Sequence, residues 1–517
     1  MKTDTLEYLK KYYYILLIIL TAIFVLFLSN YRFYSSDQTT QIPSVFHFFD
    51  NELYEKDFTM QIINPLGVKT ILHLILFSIS MITFIPIHWI YFAAYIMIIY
   101  SIFYLTYKIS NELYKSFFAG IFACFLLFLF AKGSILQSSG FEILSRSIVP
   151  YFAAVPLHLL CLYLVLKKKY LYSVLMSGFL FYIHGQISIF TLIPILISVG
   201  FCLKKPVCLI KYLLVYLLVI SPIIISLLLK FNPLSQTSAK YSIKELSMLR
   251  VPFHIFPNRN SLIIFFGFIL FFLLMMHINK VKIKKEFIYW NYALIAIYFS
   301  GIIFTRFIPL DLIMLMYLLR VDVFIRIFFL ILASITFISF LLSKINKKKL
   351  QEKYLVYLLF AFFLIILLIL SAIKSPQLEI HHPHHSYEDI ADYAKNNTPK
   401  YSLFITPPSL EGFRLYSQRS IVVDFKTNPI GRGSEIQDEW MQRLLDLCNV
   451  EEFNNDGFEI LPECEEGYKS LTMEDFSSLC KKYNADYFVA YYNKSISLRE
   501  DILIYGNSGF LLLSCPK

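Results

Sequence analysis

The sequence predicts a polytopic α-helical membrane protein of about 11 spans that carries a C-terminal extracytoplasmic α/β domain. Three observations predict it. The 517 residues are 57% hydrophobic with a mean hydropathy of +0.61. Apolar runs of membrane length recur along residues 1–375. The charge divides unevenly, with 34 Lys/Arg against 14 Asp/Glu in residues 1–375 and 13 against 22 in residues 376–517. The net charge of +11 is therefore not a uniform basic field. The lysines gather in short loops between apolar runs, as the positive-inside bias produces, and this excludes a nucleic-acid partner.

The spans are expected at 13–29, 88–107, 116–132, 149–166, 170–187, 188–203, 209–229, 261–278, 288–305, 323–342 and 354–373. The opening "MKTDTLEYLKK" leads into an apolar run without a small-residue cleavage site, so the first helix is expected to be retained. The basic loops at 167–169, 204–205, 280–285 and 344–349, with Lys2, Lys10 and Lys11, are expected on the cytoplasmic side of an inner membrane. The loops 30–87, 133–148 and 230–260 and the C-terminal domain then fall outside. "VKTILHLILFSISMITFIPI", residues 68–87, is long enough to span, but counting it would reverse every later basic loop. It is read as a juxtamembrane or re-entrant helix, and "FIPLDLIMLMYLL" near 307–319 is read similarly.

The composition changes after Lys374. In residues 376–517, "YSLFITPP", "SIVVDF" and "DYFVAYY" read as short strands, and "YEDIADYAKNN", "IQDEWMQRLLDLC" and "MEDFSSLCKKYN" as helices. Cys124, Cys161, Cys202 and Cys208 lie in or beside apolar runs and read as packing residues. Cys448, Cys464, Cys480 and Cys515 form no metal-ligand spacing. In an extracytoplasmic domain a Cys448–Cys464 disulfide around an acidic loop is open to them.

The stretch "SSDQTTQIPSVFHFFDNELYEKDF" follows the first apolar run directly and carries Asp37, Asp50, Glu52 and Asp57. One reading is plain: a loop outside the membrane carries acids. The other uses position. Asp37 lies a few residues past the span, where a carboxylate can act as general base on an acceptor hydroxyl or amine, or hold a divalent cation (Mg or Mn) against a phosphate, with Asp57 as a second ligand. Glu142 and Arg146 in "SSGFEILSRSIVP" are four residues apart and either pair on one helical face or leave Arg146 to hold a phosphate. His184 closes a span, and Arg320 stands at an outer mouth as a phosphate clamp. Asp322 and Arg326 are again four apart. "HHPHH", 381–385, is read as a solvated linker, because Pro383 breaks a shared helical face. Arg414, Arg419, Asp424, Lys426 and Arg443 are cation-rich for an acidic domain; they contact a phosphate or glycan, or they form internal salt bridges.

A first helix followed at once by an acid-bearing outer loop, then a juxtamembrane helix and a terminal soluble domain, resembles the GT-C superfamily of membrane glycosyltransferases. The resemblance implies transfer of a sugar from a polyprenyl-phosphate donor to a glycan, lipid or protein acceptor of the envelope, with Asp37 as the catalytic acid-loop residue. In that frame Arg146, His184, Arg320, Arg414, Arg419 and Lys426 bind substrate. The segments "DQTTQIPSVFHFFDNELYEKD" and "FRLYSQRSIVVDFKTNP…EWMQR" also resemble motifs of a bacterial family of GT-C-like membrane proteins whose activity is not established. Two other classes stay open. A transporter or flippase would place broken helices in repeated halves and charges near the midplane; the chain has no repeat, and its charges sit at span ends. A non-catalytic assembly protein would keep the layout and leave Asp37 idle.

Overall fold

The computed structural model describes residues 13–63, 67–131, 138–203, 206–230, 240–256, 259–279, 283–345, 365, 369, 378–381, 386–427, 429–430, 433–492 and 501–516. The expected last span, the cytoplasmic lysines at 2–11, 204–205 and 346–349, and His382–His385 lie outside them.

The chain folds as a helical membrane protein with a small C-terminal sheet domain. The membrane part comprises α1 (Tyr13–Ile23, continued by a π turn to Leu28), α2 (Gln38–Phe49), α3 (Phe58–Ile62), α4 (Ile71–Thr83), α5 (Ile87–Tyr114), α6 (Phe117–Phe130), α7 (Pro150–Leu166), α8 (Tyr170–Ile183), α9 (Gly185–Leu203), α10 (Pro206–Lys230), α11 (Ile243–Arg250), α12 (Arg259–Ile278), α13 (Lys285–Ile302, continued by a π turn to Phe307) and α14 (Asp322–Ile345). Among the described residues six helical segments are long and apolar enough to cross a membrane: Ile87–Tyr114, Gly185–Leu203, Val207–Ser226, Pro252–Ile278, Lys285–Phe307 and Leu318–Ser343. Tyr13–Leu28, α4, α6, α7 and α8 are apolar helices of 10–17 residues.

The run read as juxtamembrane forms α4, only 13 residues long. It stops at Phe84, whose backbone turns left-handed (φ 58°), and Pro86 precedes the next helix. Phe84 is 91% exposed and Ile82 77%, which suits a helix end lying against lipid rather than packed protein. The 307–319 segment also breaks up, into a short turn of helix Asp311–Leu315 with Phe307 and Leu312 exposed.

Several polar side chains inside the bundle are satisfied locally, while others, such as Thr106 and Ser110, are buried without a hydrogen-bond partner among the described residues. Thr21 and Thr191 donate to carbonyls four residues back, and Ser177 and Ser188 exchange bonds between α8 and α9. At one end of the bundle Glu112, 8% exposed, takes Lys115 (3.0 Å), Lys167 (2.5 Å) and Lys284 (2.6 Å), each from a different turn. The basic loops at 167–169 and 283–285 therefore share one end of the bundle.

The C-terminal domain holds a five-stranded sheet in the order β2-β1-β3-β5-β4. Its strands are β1 (Leu403–Ile405), β2 (Ser420–Ile421), β3 (Tyr487–Tyr491), β4 (Leu503–Gly506) and β5 (Phe510–Ser514). β1 runs parallel to β2 and β3, and β5 runs antiparallel to β3 and β4. Around it pack α15 (Glu388–Asn397), α16 (Phe413–Ser417), α17 (Ser434–Cys448), α18 (Ile460–Ser470) and α19 (Met473–Tyr483). A capping box between Thr472 and Asp475 starts α19, as "TMEDF" indicates. The expected strand "SIVVDF" pairs only at its first two residues, because Asp424 and Phe425 turn inward toward other partners. Two disulfides close the domain, Cys448–Cys464 and Cys480–Cys515, while Cys124, Cys161, Cys202 and Cys208 are free.

The two disulfides staple α17 to α18 and α19 to the end of β5. The Cys448→Ser, Cys464→Ser double variant should lose about 2–5 kcal/mol of C-terminal domain stability, read by denaturant unfolding of the purified protein. Variants at Cys202 or Cys208, which carry no cross-link, should change it little.

Candidate functional site

The acids of the first loop separate into two groups by what they touch. Asp50 binds Lys400 at 2.8 Å, and Lys400 also reaches Glu52 at 3.7 Å. The Lys400 ammonium holds the Asp50 carboxyl below the usual carboxylate range. Asp57 is fully buried and lies 2.7 Å from Arg414 Nε. Its other oxygen caps α3, accepting from the backbone N–H groups of Thr59 and Met60 and from the Thr59 hydroxyl. These three acids are spent on docking the loop to the C-terminal domain. Lys56 adds a bond to Asp486 at 3.0 Å, and the Tyr54 hydroxyl donates to the Arg414 carbonyl.

Asp37 differs. It is exposed, at the N-terminus of α2, and its carboxylate makes no hydrogen bond or ion pair among the described residues. The chain reaches it through two left-handed residues that are not glycine, Tyr34 (φ 55°) and Ser36 (φ 56°). Such conformations cost about 1–3 kcal/mol each and persist where surrounding contacts enforce them. Here the neighbours are fixed: Gln38 donates to the Ile148 carbonyl at 2.9 Å, and Phe33 N–H donates to Glu379 at the root of the C-terminal domain. Below the loop, His73 of α4 is wholly buried between Tyr91 Oη and Gln41 Oε1, each at 2.7 Å.

Two arginines lie within the electrostatic reach of Asp37: Arg250 at the end of α11 and Arg320 before α14. Neither has a carboxylate within ion-pair distance among the described residues, and the Nε of each is buried without a partner. Both are held by aromatic faces. Arg250 lies over Phe425 (4.9 Å) and Phe458 (5.5 Å), and Arg320 over Phe141 (4.6 Å) and Tyr317 (4.5 Å). Arg250 reaches the Lys426 carbonyl at 3.4 Å, and Arg320 donates to Gln186 Oε1 at 3.0 Å. Burial pushes the Arg250 pKa down, and Glu411, Asp37 and Asp424 oppose that shift.

Close backbone approach seats Arg250. A Cβ on Gly140, in its left-handed backbone (φ 74°), would lie 2.9 Å from the Phe253 ring. A Cβ on Gly457 (φ 65°) would lie 3.0 Å from Pro252. The segment 250–254 is thus gripped from the 138–149 loop on one side and the C-terminal domain on the other. His254 donates from Nδ1 to the Ser139 carbonyl and stacks on Phe141.

Of the expected site residues, Arg320 reaches the start of α9, donating to Gln186 two residues past His184, and its charge acts on both His184 and Asp37. His184 also has a local task, accepting the Ile187 N–H at the start of α9. Arg146 pairs with Glu142 at 3.7 Å, the structural alternative, and stays 51% exposed.

The readings of Arg414 and Arg419 as substrate contacts are corrected. Arg414 is fully buried, and Asp57, Asp424, Thr59 and Thr427 take its guanidinium. Arg419 is buried against the end of α15, donating to the carbonyls of Lys395 and Thr398. Lys426 is paired with Glu411 at 2.6 Å beside Arg250. Asp57, considered for a cation, is committed to Arg414. Among the described residues no three His, Cys, Asp or Glu side chains gather as a cation site. Sequence reasoning missed Arg250. Its one signal is an Arg at the end of the short helix opened by the Ser242–Glu245 capping box, just before Pro252, and it does not stand out among Lys240, Lys244 and Arg259 of the same segment.

Residues 385–447 match the family model described as a domain of unknown function (DUF6798). The match covers α15, β1, β2 and most of α17, including Arg414 and Asp424. No curated protein matches the chain.

Two unpaired guanidiniums should bind a small anion. Inorganic pyrophosphate should raise the thermal unfolding midpoint of the purified protein, and Arg250→Met or Arg320→Met should each weaken its apparent affinity about tenfold. Arg146→Met should leave the titration unchanged.

Proposed function

We propose that this chain is an integral-membrane glycosyltransferase that moves a sugar from a polyprenyl-phosphate donor to an envelope glycan, lipid or protein on the outer face of the membrane. One observation carries the reading: a free carboxylate, Asp37, lies within electrostatic reach of two guanidiniums, Arg250 and Arg320, that have no ion pair among the described residues. Asp37 takes the proton from the acceptor hydroxyl or amine as that atom attacks the anomeric carbon. The bond from the anomeric carbon to the phosphate oxygen breaks, and Arg250 and Arg320 receive the developing phosphate charge. Of the other carboxylates that Arg250 feels, Glu411 is paired with Lys426 and Asp424 with Arg414, so Asp37 is the free base, and one free base suits an inverting displacement, which needs no covalent intermediate. The guanidiniums are stacked in place before the donor arrives, so little reorganisation is needed as charge develops.

Two features support the orientation. Disulfides persist in oxidising compartments, so Cys448–Cys464 and Cys480–Cys515 favour a C-terminal domain outside the cytoplasm. The lysines gathered on Glu112 lie at the opposite end of the bundle from Asp37, which suits the cytoplasmic side. With the 354–373 run as the last crossing, eleven spans satisfy both.

The test is mass spectrometry of envelope glycans and glycolipids from the wild type, a deletion strain, and the deletion complemented with Asp37→Asn. One glycan should lose a sugar in the deletion, and Asp37→Asn should fail to restore it while accumulating in the membrane at the wild-type level. Full restoration by Asp37→Asn would remove Asp37 as the base. A deletion that leaves every glycan intact would favour a transporter or an assembly protein instead.

A further inference from the structure

We infer that Arg414 is a positioning residue. Through Asp57 and Asp424 it fixes the loop that carries Asp37 against the seat of Arg250, so that the C-terminal domain is an integral part of the site rather than an appended module. The inference rests on the reading of Asp37 and Arg250 as site residues, but the clamp itself can be measured without any activity.

The chain of contacts is continuous. Arg414 Nε binds Asp57 Oδ2 at 2.7 Å, and the Ile421 N–H donates to the same oxygen at 3.0 Å. Arg414 Nη2 donates to the Thr59 hydroxyl at 2.8 Å, so two residues of the first loop hold the guanidinium from one side. From the other side Arg414 Nη1 binds Asp424 Oδ2 at 2.6 Å and the Thr427 hydroxyl at 2.8 Å. Asp424 is held in turn by the Thr427 N–H and hydroxyl, and its carbonyl accepts from Trp440 Nε1 at 3.2 Å. The residues that follow Asp424 are the seat of Arg250: the Phe425 ring lies under its guanidinium, and the Lys426 carbonyl accepts from its Nη2. A displacement at Arg414 therefore reaches both the Asp37 loop and Arg250.

The charge balance shows why the clamp is stiff. Two carboxylates and one guanidinium are wholly buried, an arrangement that is tolerable only with near-complete hydrogen bonding. Removing any member strands a buried charge, so the loop cannot slide by exchanging partners with water. The other ion pairs between loop and domain, Lys56–Asp486 and Lys400 with Asp50 and Glu52, are partly exposed and much weaker.

The role differs from that of Arg419, a buried arginine five residues away whose partners all lie within the C-terminal domain. It provides the comparison. Hydrogen exchange followed by mass spectrometry on the full-length protein in detergent micelles reads the clamp directly. In Arg414→Met the amides of α2, α3 and α11 should exchange about tenfold faster or more, while β3, β5 and both disulfides stay as in the wild type. In Arg419→Met the change should be confined to α15. Pyrophosphate affinity should fall in Arg414→Met, although Arg414 lies outside the anion site.

Thr59→Val acts from the loop side alone and leaves every C-terminal domain partner in place. It should show the same pattern in smaller measure, and it decides the matter if Arg414→Met does not fold. Unchanged exchange in α2 and α11 would overturn the inference. So would equal loss of protection in β3 and β5, since Arg414 would then serve only the fold of its own domain. If the exchange pattern holds while the glycan profile is indifferent to Asp37, the clamp stands and the proposed reaction falls.

Discussion

A guanidinium shared by two buried carboxylates joins the first loop of this protein to its C-terminal domain. Asp57 and Asp424 are 367 residues apart in sequence, and each alone would be costly to bury. Arg414 makes both tolerable, and the hydroxyls of Thr59 and Thr427 fill its remaining donors. The first loop and the C-terminal domain consequently form one body. The chain re-enters beside the first helix to begin that domain: Glu379 bonds to Tyr31 and Phe33 along the backbone and to Arg32 through its side chain.

The same economy of charge explains where reactivity can sit. Most charged groups around the interface are neutralised by a partner from another segment, as Asp50 is by Lys400 and Lys426 by Glu411. Asp37, Arg250 and Arg320 are the exceptions discussed above, and aromatic stacking supports the two arginines without cancelling their charge. An opposite-charge pair would have been the simpler way to stabilise them. Its absence leaves two cations uncancelled within electrostatic reach of a free carboxylate shortly after the first apolar helix.

Deeper in the bundle a second acid is fully spent. Asp322 accepts from the backbone and hydroxyls of Ser138 and Ser139 and lies 3.5 Å from Arg326. It ties the 138–149 loop to the start of α14, two residues past Arg320. The i,i+4 spacing made the Asp322–Arg326 pair legible from sequence, as it did Glu142–Arg146. Nothing in the spacing announced the two serines, because they come from a loop 184 residues earlier.

Local chemistry set much of the protein in the sequence alone. Apolar runs specified the membrane helices, the placing of the basic loops kept residues 68–87 out of the count of spans, and the Thr472 cap and strand patterns outlined the C-terminal domain. These features depend on neighbours within a few residues, which a sequence displays. The roles of the charged residues did not follow from neighbours. Arg414 and Arg419 look alike in "FRLYSQR", yet one clamps two domains and the other closes a helix. Asp37 and Asp57 share a loop, yet one is free and the other buried. Partner identity for a charge is decided by which segments the fold brings within about 3 Å, and only the tertiary structure decided that Arg250, unremarkable in sequence, lies within electrostatic reach of Asp37.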